Sequence, residues 1–246
     1  MQPDFYAEYS QIEDTHWWFR GRREIFTRLL APLGVKPLRM LDIGFGTGAM
    51  LRFLEPYGSV IGMDMSVEAI RFARTRVACP MFLGSITHVP IASAAFDLVT
   101  AFDIVEHVED DRAAFVELAR VCRPGGHVLV TVPAFQFLWG NQDVVSHHRR
   151  RYTRAELGAR MRSAGLAPRR LSYFNAILFP VVAAVRVARR LRGEPPSDEV
   201  KSDFTMTKPG PVNDALARVF GAEGRWLARW RLPVGVSLVC LAERPA

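Results

Sequence analysis

Three glycines alternate with other residues in LDIGFGTGAM: Gly44, Gly46 and Gly48, directly after a short apolar run. Glycine lets a chain turn sharply and lets a ligand approach the backbone. A helix starting there would offer free N–H groups and a positive dipole end to an anionic group. Asp64 lies 20 residues beyond Gly44, where a second strand should end. A carboxylate at that spacing accepts hydrogen bonds from ribose hydroxyls. Together these residues predict a nucleoside cofactor. The glycines alone do not choose which one. Gly44, Gly46 and Ala49 also satisfy GxGxxG/A, so a nicotinamide dinucleotide stays open on this pattern.

Proton-transfer chemistry would fall to histidine, which titrates near neutrality. His107 follows the run FDLVTAFD, and His147 and His148 open HHRRRY. A base is needed only if the accepting atom carries a proton. THWWFRGRR (15–23) sets His16, Trp17, Trp18 and Phe19 beside three arginines. Such aromatic faces could form a lid that shields or attracts a cation. The three cysteines, Cys79, Cys122 and Cys240, form no CxxC pair. Neither a disulfide framework nor a metal is expected from them, and a reducing cytoplasm fits.

These residues need elements to position them. Helical spacing is predicted over 4–32, closed by Pro32 and Gly34. Apolar runs at 38–43, 59–64, 80–84, 96–103 and 127–133 read as strands, with helices between them; Ser66 caps one of these. Alternation of this kind means βαβ units and a mainly parallel sheet. Beyond Pro133 the pattern predicts a long loop (134–152), a helix (153–164) and a strand (168–174). A helix over 175–192, a proline-rich loop (193–211), a helix from Asn213 to Trp230 and a last strand (235–243) follow. The division expected is an N-terminal cap (1–34), a core (35–174), a helical insertion (175–234) and the last strand (235–246).

LDIGFGTG resembles the first motif of class I S-adenosylmethionine (SAM)-dependent methyltransferases, and GMDMS resembles their second. FDLVTAFDIVEHVEDD and RPGGHVLVTVP look like their fourth- and fifth-strand motifs, in order and at usual intervals. The resemblance covers residues 38–133 and implies a Rossmann-like α/β fold. That fold has a seven-stranded, mostly parallel sheet with helices on both faces, its last strand antiparallel. It implies SAM as cofactor, with Asp42 at the methionine end and Asp64 at the ribose. Gly44, Phe45, Gly46, Gly48, Met65 and Phe102 are expected to line the site. Many relatives follow the third strand with Gly-Asp, whose carboxylate meets adenine. Here the pair is Gly84-Ser85, which leaves the base to Ser85 and Ile86.

Charge is unevenly spread. Residues 1–123 carry a net −3 and residues 124–246 a net +10. Segment 149–192 holds twelve arginines and one acid, Glu156. Such asymmetry suggests an anionic partner or a solvated arginine-rich surface. YFNAILFPVVAAVRVARRLR (173–192) joins an apolar run to arginines and is too short to span a bilayer. It reads as an interfacial segment or as the face of a dimer. The acidic N-terminus lacks a signal-peptide pattern. The expectation is therefore a cytoplasmic monomer or homodimer, peripheral on the inner face of the membrane, with a small or lipid-linked acceptor. Alternatives are a SAM-fold membrane-recruitment module without catalysis and a nucleic-acid methyltransferase. No RNA-binding module and no Asn/Asp-Pro-Pro-Tyr/Phe motif supports the latter.

Overall fold

A computed structural model describes residues 3–33, 37–193 and 209–246, with side chains from Tyr9 onward in the first helix. Most of the 193–211 loop lies outside the described residues. Seven strands form one sheet: β1 (Leu38–Ile43), β2 (Gly58–Asp64), β3 (Met81–Leu83), β4 (Phe96–Phe102), β5 (Cys122–Pro133), β6 (Ala167–Phe174) and β7 (Ser237–Glu243). Their order is β3-β2-β1-β4-β5-β7-β6. All neighbours run parallel except β7, which lies antiparallel between β5 and β6.

Strand side chains alternate between faces, and here both faces are covered. Leu41 and Ile43 join one core with Phe115 and Leu118 of α5 (Asp111–Val121) and with Leu157 and Met161 of α7 (Arg154–Ser163). Met40, Leu98 and Leu129 join the other with Ile25, Phe26 and Leu29 of α2 (Trp17–Leu30). That second core also takes Leu51 of α3 (Ala49–Leu54), Ile70 of α4 (Val67–Ala73), and Phe220 and Leu227 of α9 (Pro211–Leu227). Burial on both faces explains why β1 and β4 read as continuous apolar runs.

The N-terminal helical pattern resolves into two helices, α1 (Pro3–Thr15) and α2. They break at His16, whose extended backbone and Nδ1, accepting from Trp18 N at 3.3 Å, cap α2. The helix expected over 175–192 starts later, as α8 (Phe179–Leu191). Loop 134–152 contains a short helix, α6 (Asn141–Val145).

Helix α9 lies along α2, and glycines let the two backbones approach. A Cβ on Gly21 would sit 2.5 Å from Phe220 Cδ1, and one on Gly224 3.1 Å from Ile25 Cα. Asn213 locks the pair by accepting from Trp17 N at 2.7 Å and donating to Thr15 O at 2.9 Å. Arg20 pairs with Asp214 beside it. Cap, sheet and α9 thus share one core.

Candidate active site

The glycine loop follows β1 at the carboxyl edge of the sheet. Gly44, Gly46 and Gly48 all have positive φ. A Cβ on Gly44 would strike Ile104 at 2.6 Å, whereas one on Gly46 would meet nothing within 4 Å. Gly44 is therefore a packing requirement, while Gly46 borders open space. Asp64 ends β2 and accepts from Gly46 N and Ser66 N, each at 2.9 Å. Those bonds fix the carboxylate beside the loop and leave further lone pairs for ligand hydroxyls. Burial raises its pKa against those same backbone bonds.

Asp42 is buried under the loop. Its Oδ1 accepts from Thr100 Oγ1 at 2.6 Å, and its Oδ2 has no hydrogen-bond partner. Burial pushes its pKa up to about 7, opposed by the Thr100 bond. A buried acceptor without a partner is costly unless something else supplies a donor or a positive charge.

Helix α1 is strapped over this loop. Glu13 accepts from Thr47 Oγ1. Asp14 pairs with Arg52 at 2.6 Å and Arg76 at 2.8 Å, and Arg76 also donates to Thr47 O at 3.2 Å. Arg22 reaches from α2 to Asp103 at 2.7 Å, its guanidinium 4.3 Å from the Trp18 ring centroid. Trp17 turns instead to α9 and meets the Phe220 ring edge-on at 5.6 Å. The aromatic pair is thus divided between an arginine clamp and a helix joint.

A second cluster forms where the segments after β4 and β5 meet. Arg149 N donates to Glu106 O at 2.9 Å, and Arg149 Nε donates to His107 O at 3.1 Å. Arg150 donates to Val108 O at 2.9 Å and to Glu109 O at 2.7 Å. This stitching places the His107 and His148 rings 4.8 Å apart, edge to face. His148 Nδ1 lies 2.8 Å from Asp143 Oδ1. Asp143 in turn receives Arg151 Nε at 2.8 Å, Arg151 Nη2 at 2.9 Å and Gly140 N at 2.8 Å. Burial works against its charge, but His148 and Arg151 outweigh that and hold its carboxyl below the usual range. Burial, followed by repulsion from His148, lowers His107 to about 4 and keeps it neutral. Glu106 is fully buried with neither carboxylate oxygen hydrogen-bonded. Burial, reinforced by Asp103, drives its pKa well upward. His147, the third candidate base, is exposed and stands apart in a left-handed backbone conformation.

Strain gathers at the same edge. Asp103, Phe135, His147 and Asn175 have φ of 53°, 56°, 55° and 57°. They follow β4, β5 and β6, where ligand sites of open α/β sheets lie.

A methyltransferase-domain family model matches residues 41–130, the span that carries the cradle and the first half of the histidine cluster. Residues 41–130 are a class I SAM-dependent methyltransferase domain. An uncharacterised methyltransferase of Schizosaccharomyces pombe is 35% identical over 134 residues, 48% of each chain. A malonyl-[acyl-carrier protein] O-methyltransferase of Pseudescherichia vulneris is 34% identical over 128 residues, 51% of this chain and 50% of the relative. The chain thus spans about half the length of these curated relatives. A Haloferax volcanii putative methyltransferase solved with its Trm112 activator superposes with a TM-score of 0.64 at 18% identity. That match covers 99% of this chain and 97% of the other, and it concerns the fold alone.

The cofactor of this methyltransferase domain is SAM, and the residues fit it. Asp42 Oδ2 would take the methionine ammonium, the open face of Gly46 admits the ligand, and Asp64 would hold the ribose. Met65 is 76% exposed beside Asp64 and offers apolar surface to a base. Three expected contacts are narrower than the motifs implied. Phe45 is buried against Gly62, so its backbone faces the loop rather than its ring. Phe102 stacks on Phe26 at 4.9 Å in the core. The Ser85 hydroxyl lies 2.9 Å from that of Thr87, and Ile86 is buried. Sequence reasoning missed Glu13, Thr100, Asp143 and Arg151. The Gln-Asp pair before HHRRRY was the available signal for Asp143.

Proposed function

We propose that this chain transfers a methyl group from SAM to an oxygen atom of an acceptor presented at an anionic membrane surface. The unpartnered Asp42 Oδ2 beside the open Gly46 cradle carries the cofactor half of this reading. Bound SAM supplies the activated methyl group. The chain's own task is to orient and desolvate the acceptor. The α1 strap and the Arg22–Asp103 clamp would exclude water, and the cluster at Glu106, His107 and His148 would face the acceptor. An oxygen acceptor is favoured because the malonyl relative's name specifies one.

The membrane half rests on α8. No residue of that helix is buried. Val181, Val185, Val187 and Leu191 are exposed, and Arg189, Arg190 and Arg192 show no partner among the described residues. By contrast Arg149, Arg150, Arg151, Arg160 and Arg169 are engaged internally, which removes much of the basic surface that nucleic acid would need. Arg186 covers Gly140. No described helix is long and apolar enough to cross a membrane. An apolar stripe flanked by arginines suits the headgroup region.

Two measurements test this. Methyl-labelled SAM incubated with the protein and a bacterial lipid extract should move label into the organic phase. SAM binding with no label transfer to any extract would favour a non-catalytic recruitment module. In flotation, the protein should rise with anionic vesicles and not with neutral ones. Changing Arg189, Arg190 and Arg192 to Glu should weaken binding roughly a hundredfold or more, since each arginine contributes about 1 kcal/mol. Equal flotation of wild type and variant would remove the membrane from the reading.

A further inference from the structure

We infer that Glu106, His107 and His148 bind a divalent transition-metal ion, zinc in its chemistry, through three protein ligands with one position left open. Each residue offers one donor atom, and the three atoms lie within 4.8 Å of one another. His148 is already prepared as a ligand. Asp143 holds Nδ1 at 2.8 Å, so Nε2 carries the lone pair and faces Glu106 Oε1 at 3.8 Å. A carboxylate that fixes the far nitrogen of a metal-ligating histidine is a recurrent support for such sites. Asp143 is itself immobilised by Arg151 and Gly140 N.

Glu106 supplies the independent observation. It has no solvent exposure, and neither oxygen is hydrogen-bonded. The neighbouring cations are spent elsewhere: Arg22 on Asp103 and Arg151 on Asp143. A single proton would satisfy this arrangement poorly. At 3.8 Å, Glu106 and His148 are too far apart to share a hydrogen bond. A proton would also serve two acceptors at most, and here a third nitrogen converges. Tetrahedral zinc, with bonds of about 2.0–2.2 Å, spaces its donors by about 3.4 Å. The 3.8 Å between Glu106 Oε1 and His148 Nε2, and the 4.8 Å limit on all three donors, exceed that by about 0.4–1.4 Å. Two imidazoles and one carboxylate are a donor set for zinc, not for calcium or magnesium. If the methyltransferase reading holds, an acceptor oxygen would occupy the fourth position.

The test uses the whole chain, stripped by a chelator and titrated with zinc alone. Wild type should bind one zinc per chain in calorimetry, raise its melting temperature on binding, and give tetrahedral visible absorption with cobalt. Glu106→Gln and His148→Ala should lose the site, and Asp143→Asn should weaken it about 10- to 100-fold. His147→Ala should bind as wild type does. SAM affinity, measured separately on metal-free protein, should persist in Glu106→Gln, so failure of the metal site and failure of the cofactor reading are told apart. Should His148→Ala not fold, Glu106→Gln and Asp143→Asn decide. Zinc binding equally well to these two variants, or no stoichiometric binding to wild type, would overturn the inference.

Discussion

Valine at Gly46 should abolish SAM binding that calorimetry readily detects in the wild type. Two costs act together. The residue has φ +54°, and its missing Cβ borders open space beside Asp64. A β-branched side chain in the left-handed region is a steric outlier costing roughly 1–2 kcal/mol. Its methyl groups would also occupy the ligand's own volume. A loss of at least about a hundredfold, roughly 3 kcal/mol, is expected. Asp42→Asn probes the other end of the cradle. Removing a charge that would meet an ammonium should cost about 1.5–3 kcal/mol, or about 10- to 150-fold. Asp42 also sets a pH dependence. Only its ionised form would pair with the ammonium, and burial has raised its pKa to about 7. Affinity should therefore rise about five- to tenfold between about pH 6 and 7.5, and Asp42→Asn should flatten that rise. If both variants stay folded and bind SAM normally, the cofactor lies elsewhere. NAD should not bind at all.

Truncating Phe220 should produce the largest loss of stability. Its ring has no solvent exposure, stacks on Phe174 at 6.1 Å between centroids, and fills the space beside Gly21. Phe220→Ala removes that burial and leaves a cavity between two helices and the sheet, costing about 3–5 kcal/mol. At this chain length that corresponds to roughly 6–20 °C of melting temperature. Gly21→Leu should destabilise comparably by overpacking, because its Cβ starts 2.5 Å from Phe220 Cδ1. Thermal unfolding of both variants checks the joint. Losses below about 1 kcal/mol would mean that α9 is not seated as described.

The sheet was legible because buried parallel strands must be apolar, and LRMLDI and FDLVTAF are. The cradle was legible because the Gly46 backbone and the Asp64 carboxylate are local demands on short segments. Relations between distant segments were not. Nothing in THWWFRGRR says that His16 caps a helix, that Trp17 joins α9 or that Arg22 finds Asp103. The sequence offers His107, His147 and His148 as candidate bases. The loop conformation separates them, with His147 exposed and His148 held by an aspartate five residues earlier. The basic run HHRRRY looked like a surface for anions, yet its arginines mostly serve the protein's own carbonyls and carboxylates. Charge counted along a sequence carries no information about which charges are already matched.

The Trp17–Asn213 contact bridges residues 196 positions apart. Among the described strands, β6 pairs with β7, and β7 begins at Ser237. Contacts this remote raise the entropy of ordering the chain and slow its folding. During synthesis, β1 to β4 can assemble while α2 still lacks its partner, since α9 has yet to leave the ribosome. The glycine loop and the α1 strap across it can thus form before α9 is seated along α2. The newborn chain should leave uncovered in this interval the side of α2 that α9 later meets, around Gly21 and Ile25, a natural target for a chaperone that recognises apolar helices.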